Sequence, residues 1–373
     1  MARAGVSFAP PPYPYERLDA IRRLAETHDG GAIDCSIGTP IDAPPEGVIA
    51  ELARGTGARG YPPSAGTGAF RASASAWLER RFGVRVGPDD VAACVGTKEF
   101  VGSVAAFLHL RDPQRDTVLY PEISYPTYAM GATLSGLRAV PVALRAGGLD
   151  LASVRASDAR RALVLWANAP SNPTGALDDL TSVAAWGRAN DVIVASDECY
   201  ADFTWEGPPR TILGEDTSGT LALHSASKRS NLAGLRVGFY AGDHDLVAYL
   251  RAVRQHAGLM VPGPVQAAAT VAYGDDDHVA VQRLRYRARL ERLAAALERY
   301  GINAPLPQGG FYLWCSRPGD DGWTLADELA RVAGLVTSPG DLYGAPGRPF
   351  VRIAMVQPTP RIELAAQRLE AAT

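Results

Sequence analysis

The sequence predicts an α/β protein: a large unit built on a mostly parallel, doubly wound sheet, and a smaller α+β unit. Between about residues 90 and 245, apolar runs of strand length alternate with helix-length segments, the order that strand–helix–strand crossovers produce. Beyond residue 300, apolar runs at 310–314 and 350–355 and a closing helix at 361–372 form a second, smaller set. A third observation says where chemistry would sit. Gly96, Tyr125, Asn172, Asp197 and Lys228 each fall just past the end of an expected strand. In open α/β sheets, ligands bind beyond the carboxyl ends of the strands.

The elements follow in order. Residues 1–15 end in Phe8-Ala9-Pro10-Pro11-Pro12-Tyr13-Pro14-Tyr15, whose prolines fix φ and remove N–H donors, so an extended arm is expected there. Leu18, Ile21, Leu24 and Ala25 recur at helical spacing within 16–27. The run Ile33-Asp34-Cys35-Ser36-Ile37 closes on Gly38-Thr39-Pro40, where the glycine either brings backbone up to a ligand or simply turns. Residues 60–68 (Gly-Tyr-Pro-Pro-Ser-Ala-Gly-Thr-Gly) are a loop by composition, and a helix through Phe70, Ala74, Trp77 and Leu78 follows.

Residues 91–95 read as a buried strand, from which Gly96-Thr97-Lys98-Glu99 turns into an apolar helix over 100–110. A strand, a glycine turn and a helix start make a phosphate cradle from free backbone N–H groups, although most such turns bind nothing. Further strands are expected at 118–120, 162–166, 192–196 and 220–223, with a helix at 181–190. The third of these runs into Asp197-Glu198-Cys199-Tyr200. The loop Asn168-Ala169-Pro170-Ser171-Asn172-Pro173-Thr174-Gly175 is stiffened by its two prolines. Helices are expected at 246–254 and 264–273, and a long arginine-studded one at 277–300.

Composition narrows the function classes. The 373 residues are 47% hydrophobic and 21% charged, enough apolar content for two or three domains. The 37 basic and 40 acidic residues balance to −3 with no basic stripe, which argues against a nucleic-acid surface. Cys35, Cys94, Cys199 and Cys315 are widely spaced, with no CxxC pair and no metal-like grouping, and read as reduced, mostly buried thiols of a cytoplasmic protein. No signal-like start and no membrane-length apolar run is present, so no membrane partner is expected.

The richest stretch is His224-Ser225-Ala226-Ser227-Lys228-Arg229-Ser230-Asn231-Leu232-Ala233-Gly234-Leu235-Arg236-Val237-Gly238. An amine able to form a Schiff base sits among small residues that let a flat cofactor approach the backbone. Ser225, Ser227 and Arg236 are groups that hold phosphate. The competing reading is an exposed lysine in a polar loop followed by a surface arginine.

Three motifs taken together decide between them: Asn172-Pro173-Thr174-Gly175, Asp197-x-x-Tyr200, and Ser225-x-Ser227-Lys228 with Arg236 eight residues on. In that order they resemble the fold-type I, pyridoxal-phosphate-dependent aminotransferases of class I/II, over about residues 33–355. The resemblance implies a division into an N-terminal arm with part of a small domain (1–40), a large cofactor domain (41–255) and a small C-terminal domain (256–373). It implies that Lys228 binds pyridoxal 5'-phosphate through its amine and shuttles the substrate proton. Asp197 would pair with the pyridine nitrogen, and Tyr200 and Asn172 would bond the ring oxygen. Thr97 and Lys98, largely through backbone N–H groups, with Ser225 and Arg236 would form the phosphate cup, Ser227 would also meet the cofactor, and Tyr125 would stack on the ring. Tyr61 would reach the phosphate of a neighbouring subunit, which implies a homodimer with shared sites. Arg352, with Gly38 and Asn172, would hold the α-carboxylate of amino-acid and 2-oxo-acid substrates. Ala169 stands where the family often has proline, and Lys98-Glu99 is an unusual charged pair for the turn.

Less general stretches, Gly96-Thr97-Lys98-Glu99, Tyr125-Pro126-Thr127-Tyr128, residues 227–234 and residues 256–262, are similar to the actinobacterial N-succinyldiaminopimelate aminotransferases of lysine biosynthesis. That likeness implies N-succinyl-LL-2,6-diaminopimelate with 2-oxoglutarate or glutamate. The far carboxylate of such a substrate needs cationic or amide donors, for which Arg229, Arg254 and His256 are candidates by position. The alternatives are an aminotransferase for aspartate, an aromatic or another amino acid, or a lyase on the same cofactor scaffold. A regulator with an aminotransferase-like domain would need a DNA-binding segment, and too few residues precede Ile33 for one.

Overall fold

The computed structural model describes residues 17–214 and 216–373, so the arm expected over 1–15 lies outside them. Among the described residues, the large sheet has seven strands: β1 (Val91–Cys94), β2 (Thr117–Pro121), β3 (Arg138–Val142), β4 (Ala162–Asn168), β5 (Ile193–Asp197), β6 (Thr220–Ser225) and β7 (Gly238–Gly242). Their spatial order is β1-β7-β6-β5-β4-β2-β3. Strands β3, β2, β4, β5 and β6 pair parallel, and β7 runs antiparallel to both of its neighbours. Strands β1, β4 and β6 are buried along their whole length, because helices cover both faces of the sheet. Helix Gly68–Phe82 lies on one face and helix Thr97–Arg111 on the other.

Two sheet strands escape the sequence reading. β3 is an edge strand, half exposed and carrying Pro141, which only an edge tolerates well. β7 (Gly-Phe-Tyr-Ala-Gly) is bounded by glycines and lies buried between two partners. Helices Glu46–Arg54 and Gly322–Ala333 are likewise additions to the expected set.

The smaller unit has, among the described residues, a three-stranded antiparallel sheet of β8 (Tyr312–Ser316), β9 (Ser338–Pro339) and β10 (Phe350–Ala354), in the order β8-β10-β9. Helices Asp277–Arg299, Gly322–Ala333 and Thr359–Ala371 share its core, together with Leu18, Ile21, Ala25, Ile33 and Cys35 from the start of the described chain. Val261, Ala268, Ala269, Ala272 and Tyr273 belong instead to the core of the large sheet. They do so because helix Gly263–Gly274 packs on helices Glu46–Arg54 and Gly68–Phe82. Helix Gly263–Gly274 thus packs with the large sheet, whereas helix Asp277–Arg299 packs with the smaller unit. All four cysteines are buried and unpaired. Among the described residues, no helix is long and apolar enough to cross a membrane, and no cluster of His, Cys, Asp and Glu is arranged to hold a metal ion.

Candidate active site

The carboxyl ends of β4, β5 and β6 open into a cavity of about 530 Å³ that also receives residues of the smaller unit. Lys228, Asp197, Tyr200, Thr97, Lys98, Tyr125, Asn172, Ser225, Ser227, Arg236, Gly38 and Arg352 all line it. Tyr61 does not line it and is fully exposed on this single chain.

One end is built for an anion. Gly96 caps helix Thr97–Arg111 at φ +74°, a conformation side chains disfavour. A Cβ there would lie 2.3 Å from Arg236 Nη2, so the guanidinium sits directly over the glycine and the first turn of the helix. Ser225 and Ser227 are buried beside it, and Ser225 Oγ accepts the Ser227 N–H at 3.1 Å, which starts the short helix Ala226–Arg229. The pair Lys98-Glu99 also finds its reason. Glu99 accepts the backbone N–H of Val95 and holds Arg254 through two bonds of 2.9 and 2.6 Å, locking the turn to helix His244–His256.

The middle is a buried carboxylate facing a lysine. Tyr128 Oη donates to Asp197 Oδ2 at 3.0 Å, and the Cys199 N–H donates to Oδ1 at 3.2 Å. Burial raises the Asp197 pKa, and donors from Cys199 and Tyr128 act against that rise. Tyr128 is itself fixed by stacking on Trp166 at 5.0 Å. Asn168 ties the two neighbouring strand ends together: its Nδ2 donates to the Asp197 carbonyl at 2.7 Å, and its Oδ1 accepts the Asn172 N–H at 2.7 Å. Lys228 rides on the helix after β6, and its Nζ donates to the Gly38 carbonyl. Burial lowers its pKa to about 8, helped by the positive charges of Arg352 and Arg236.

The third end is a buried arginine. Arg352, on β10, donates from Nη1 to Asn172 Oδ1 at 2.8 Å and from Nη2 to the Ser36 carbonyl at 2.6 Å. Its guanidinium lies 4.3 Å from the Tyr312 ring and 4.8 Å from the Tyr343 ring. Strand register explains the first contact. Trp314 faces Arg352 across β8 and β10, so Tyr312, two residues before Trp314, is a diagonal neighbour on the same face. Tyr312 Oη in turn lies 2.7 Å from Tyr200 Oη.

The residues expected to serve a distal substrate group are elsewhere. Arg229 is buried against Asp202 at 3.1 Å, with its guanidinium 5.0 Å from the Tyr273 ring. Arg254 is spent on Glu99, and His256 is exposed at the end of its helix. None of the three lines the cavity. Conversely, Tyr128, Cys199, Tyr312 and Ser36 belong to the site without having been singled out. Tyr128 and Cys199 had a faint signal in their closeness to Tyr125 and Asp197. Ser36 and Tyr312 had none.

A glycine-walled anion end, a partly neutral buried amine and a buried carboxylate form a donor set that fits pyridoxal phosphate: phosphate, aldehyde and ring nitrogen each meet a complementary group.

Comparison with known proteins agrees with this geometry. A family model described as aminotransferase class I and II matches residues 32–369. The 4-dedimethylamino-4-oxo-anhydrotetracycline transaminase OxyQ of Streptomyces rimosus is 40% identical over 367 residues, covering 96% of this chain and 99% of its own. A probable aminotransferase of Mycobacterium tuberculosis is 40% identical over 379 residues, covering 99% of this chain and 87% of its own. Among solved structures, a probable N-succinyldiaminopimelate aminotransferase of Thermus thermophilus superimposes with a TM-score of 0.86 at 30% identity, over 96% of this chain and 100% of that one.

Proposed function

The chain belongs to the aminotransferase class I and II family, whose cofactor is pyridoxal phosphate, and we propose that it moves an amino group between an amino acid and a 2-oxo acid, with N-succinyl-LL-2,6-diaminopimelate and 2-oxoglutarate as the pair. The observation that carries the acid part of this reading is Arg352, a buried guanidinium that faces the same cavity as Lys228 and shares Asn172 with the carboxyl end of β4. Such a fork matches the two oxygens of an α-carboxylate.

When bound, pyridoxal phosphate supplies an electron sink that makes the substrate α-proton removable. The residues divide the remaining work. Gly96, Thr97, Lys98, Ser225, Ser227 and Arg236 hold the phosphate, and Tyr125 covers the ring. Asp197, kept in place by Tyr128 and Cys199, sets a carboxylate against the ring nitrogen. Tyr200 and Asn172 donate to the ring oxygen. Lys228 would hold the cofactor, and its amine would take the proton from the substrate α-carbon. With a pKa near 8, a useful fraction of that amine is neutral at pH 7. Tyr61, exposed on one chain, serves the phosphate of a second copy in a homodimer.

The diaminopimelate assignment is supported by the likeness to the Thermus thermophilus relative. Lys98 and Lys228 are the only lysines in the sequence, and both line the cavity. The test is kcat/KM for N-succinyl-LL-2,6-diaminopimelate against aspartate, unsuccinylated diaminopimelate, aromatic amino acids and a tetracycline-type ring ketone. Preference for any competitor overturns the substrate. Product formation without a 2-oxo acid would point to a lyase.

A further inference from the structure

We propose that Tyr312 is a positioning residue that joins the two halves of the substrate site: its hydroxyl orients the hydrogen bond of Tyr200, and its ring holds the Arg352 guanidinium flat. The inference rests on the reading in which Tyr200 serves the cofactor's ring oxygen and Arg352 the substrate carboxylate.

Three observations converge on this one side chain. The two tyrosine hydroxyls are 2.7 Å apart, both on buried residues, and each carries one proton. When Tyr312 donates to Tyr200, the Tyr200 proton is left to point into the cavity, and an oxygen that accepts one hydrogen bond becomes a better donor of its own proton. Secondly, the Tyr312 ring lies 4.3 Å from the Arg352 guanidinium, which Tyr343 faces at 4.8 Å. A cation held near two aromatic rings is restrained in tilt. Thirdly, room for the hydroxyl is made by Gly38. A Cβ on Gly38 would fall 2.2 Å from Tyr312 Oη, and Gly38 is not among the glycines of positive φ, so glycine is required there for space rather than for backbone conformation. The groups near the hydroxyl pair include Cys199, beside Tyr200, Arg352 on β10, Tyr286 behind Tyr312, and Lys228 through the Gly38 carbonyl. A tyrosine that only filled the core would have no need of a hydroxyl aimed at Tyr200.

The experiment is a pH titration of the visible absorption of the cofactor-loaded protein, with steady-state kinetics alongside. A weaker Tyr200 donor leaves more negative charge on the cofactor's ring oxygen, which retains the adjacent proton to higher pH. Tyr312→Phe keeps the ring and removes the hydroxyl. Its absorption midpoint should rise by roughly 0.3 to 1 pH unit, the size of one ordinary hydrogen bond, with KM for the carboxylate substrates within about twofold of wild type. Tyr312→Leu removes the ring as well and should raise KM roughly 3- to 30-fold in addition. Gly38→Ala, which displaces the hydroxyl without touching the tyrosine, should move the midpoint in the same direction. An unmoved midpoint in Tyr312→Phe while Tyr200→Phe moves it would overturn the role of Tyr312 alone. A midpoint that stays put in Tyr200→Phe also would overturn the assignment of Tyr200 beneath it.

Discussion

The pH at which Lys228 becomes reactive follows directly from its surroundings. Burial in the cavity brings its pKa from 10.5 to about 8, and Arg352 and Arg236 push the same way. At pH 7 an ordinary lysine is neutral in about 0.03% of molecules, and Lys228 in about one-tenth, a gain of roughly 300-fold in reactive amine. The perturbation is pH itself, applied to protein stripped of cofactor. Pyridoxal phosphate is mixed in, the growth of the visible band is timed, and the product is trapped with borohydride and mapped. The uptake rate should climb about tenfold per pH unit up to about pH 8 and then flatten. The sequence makes the mapping clean, because Lys98 is the only other lysine. A rate that keeps climbing through pH 10 would refute the argument from burial. Label on Lys98 or on the amino terminus would refute the choice of amine. Lys228→Ala should show no borohydride-fixed label and no turnover.

Further outcomes follow from the same geometry. Arg352→Ala removes a buried charge and leaves Asn172 Oδ1 without its donor, while the Ser36 carbonyl keeps the Ser338 hydroxyl. It should cost about 2–5 kcal/mol in kcat/KM in both half-reactions, read by single turnover with each amino donor and each 2-oxo acid. Equal kcat/KM in mutant and wild type would remove Arg352 from the substrate site. Asp197→Asn keeps the shape and removes the charge, so cofactor should remain bound while kcat falls about a hundredfold or more; a wild-type kcat would end the role given to Asp197. Arg254→Met should lower stability by about 1–3 kcal/mol in denaturant unfolding, because Glu99 loses its cation but keeps the Val95 N–H and the Ser103 hydroxyl, with the order of substrate preference unchanged; a changed order would return Arg254 to the substrate site. Gly96→Ala sets a methyl against Arg236 in a left-handed conformation and should weaken cofactor binding roughly ten- to a hundredfold, measured by equilibrium titration; unchanged affinity would mean that Arg236 does not close the phosphate end.

How much of this was legible in the sequence turns on what each residue's direction depends on. Strand–turn–helix alternation placed Asp197, Asn172 and Lys228 at one edge of a sheet, since a parallel sheet aligns its carboxyl ends by construction. The strands of the large sheet that escaped, β3 and β7, lack that pattern, one being a half-exposed edge with a proline and the other a glycine-bounded run. The distal-group expectation failed for a related reason. Arg229 follows Lys228 in sequence, but both sit on a helix, where successive side chains point about 100° apart. One therefore enters the cavity while its neighbour turns into the ion pair with Asp202. Arg254 carries no local mark of its partner, because Glu99 lies far off in the chain, and two charges in separate stretches form a single salt bridge. Tyr312 shows the limit most plainly. Its strand was expected, yet its importance depends on the register of β8 against β10, on a glycine at the other end of the chain, and on Tyr200 across the cavity. Periodicity fixes which face of a strand a side chain takes, and register fixes what it meets there. Register is a property of pairs of strands, so a hydroxyl whose partners come from three separate segments carries no local mark of the work it does.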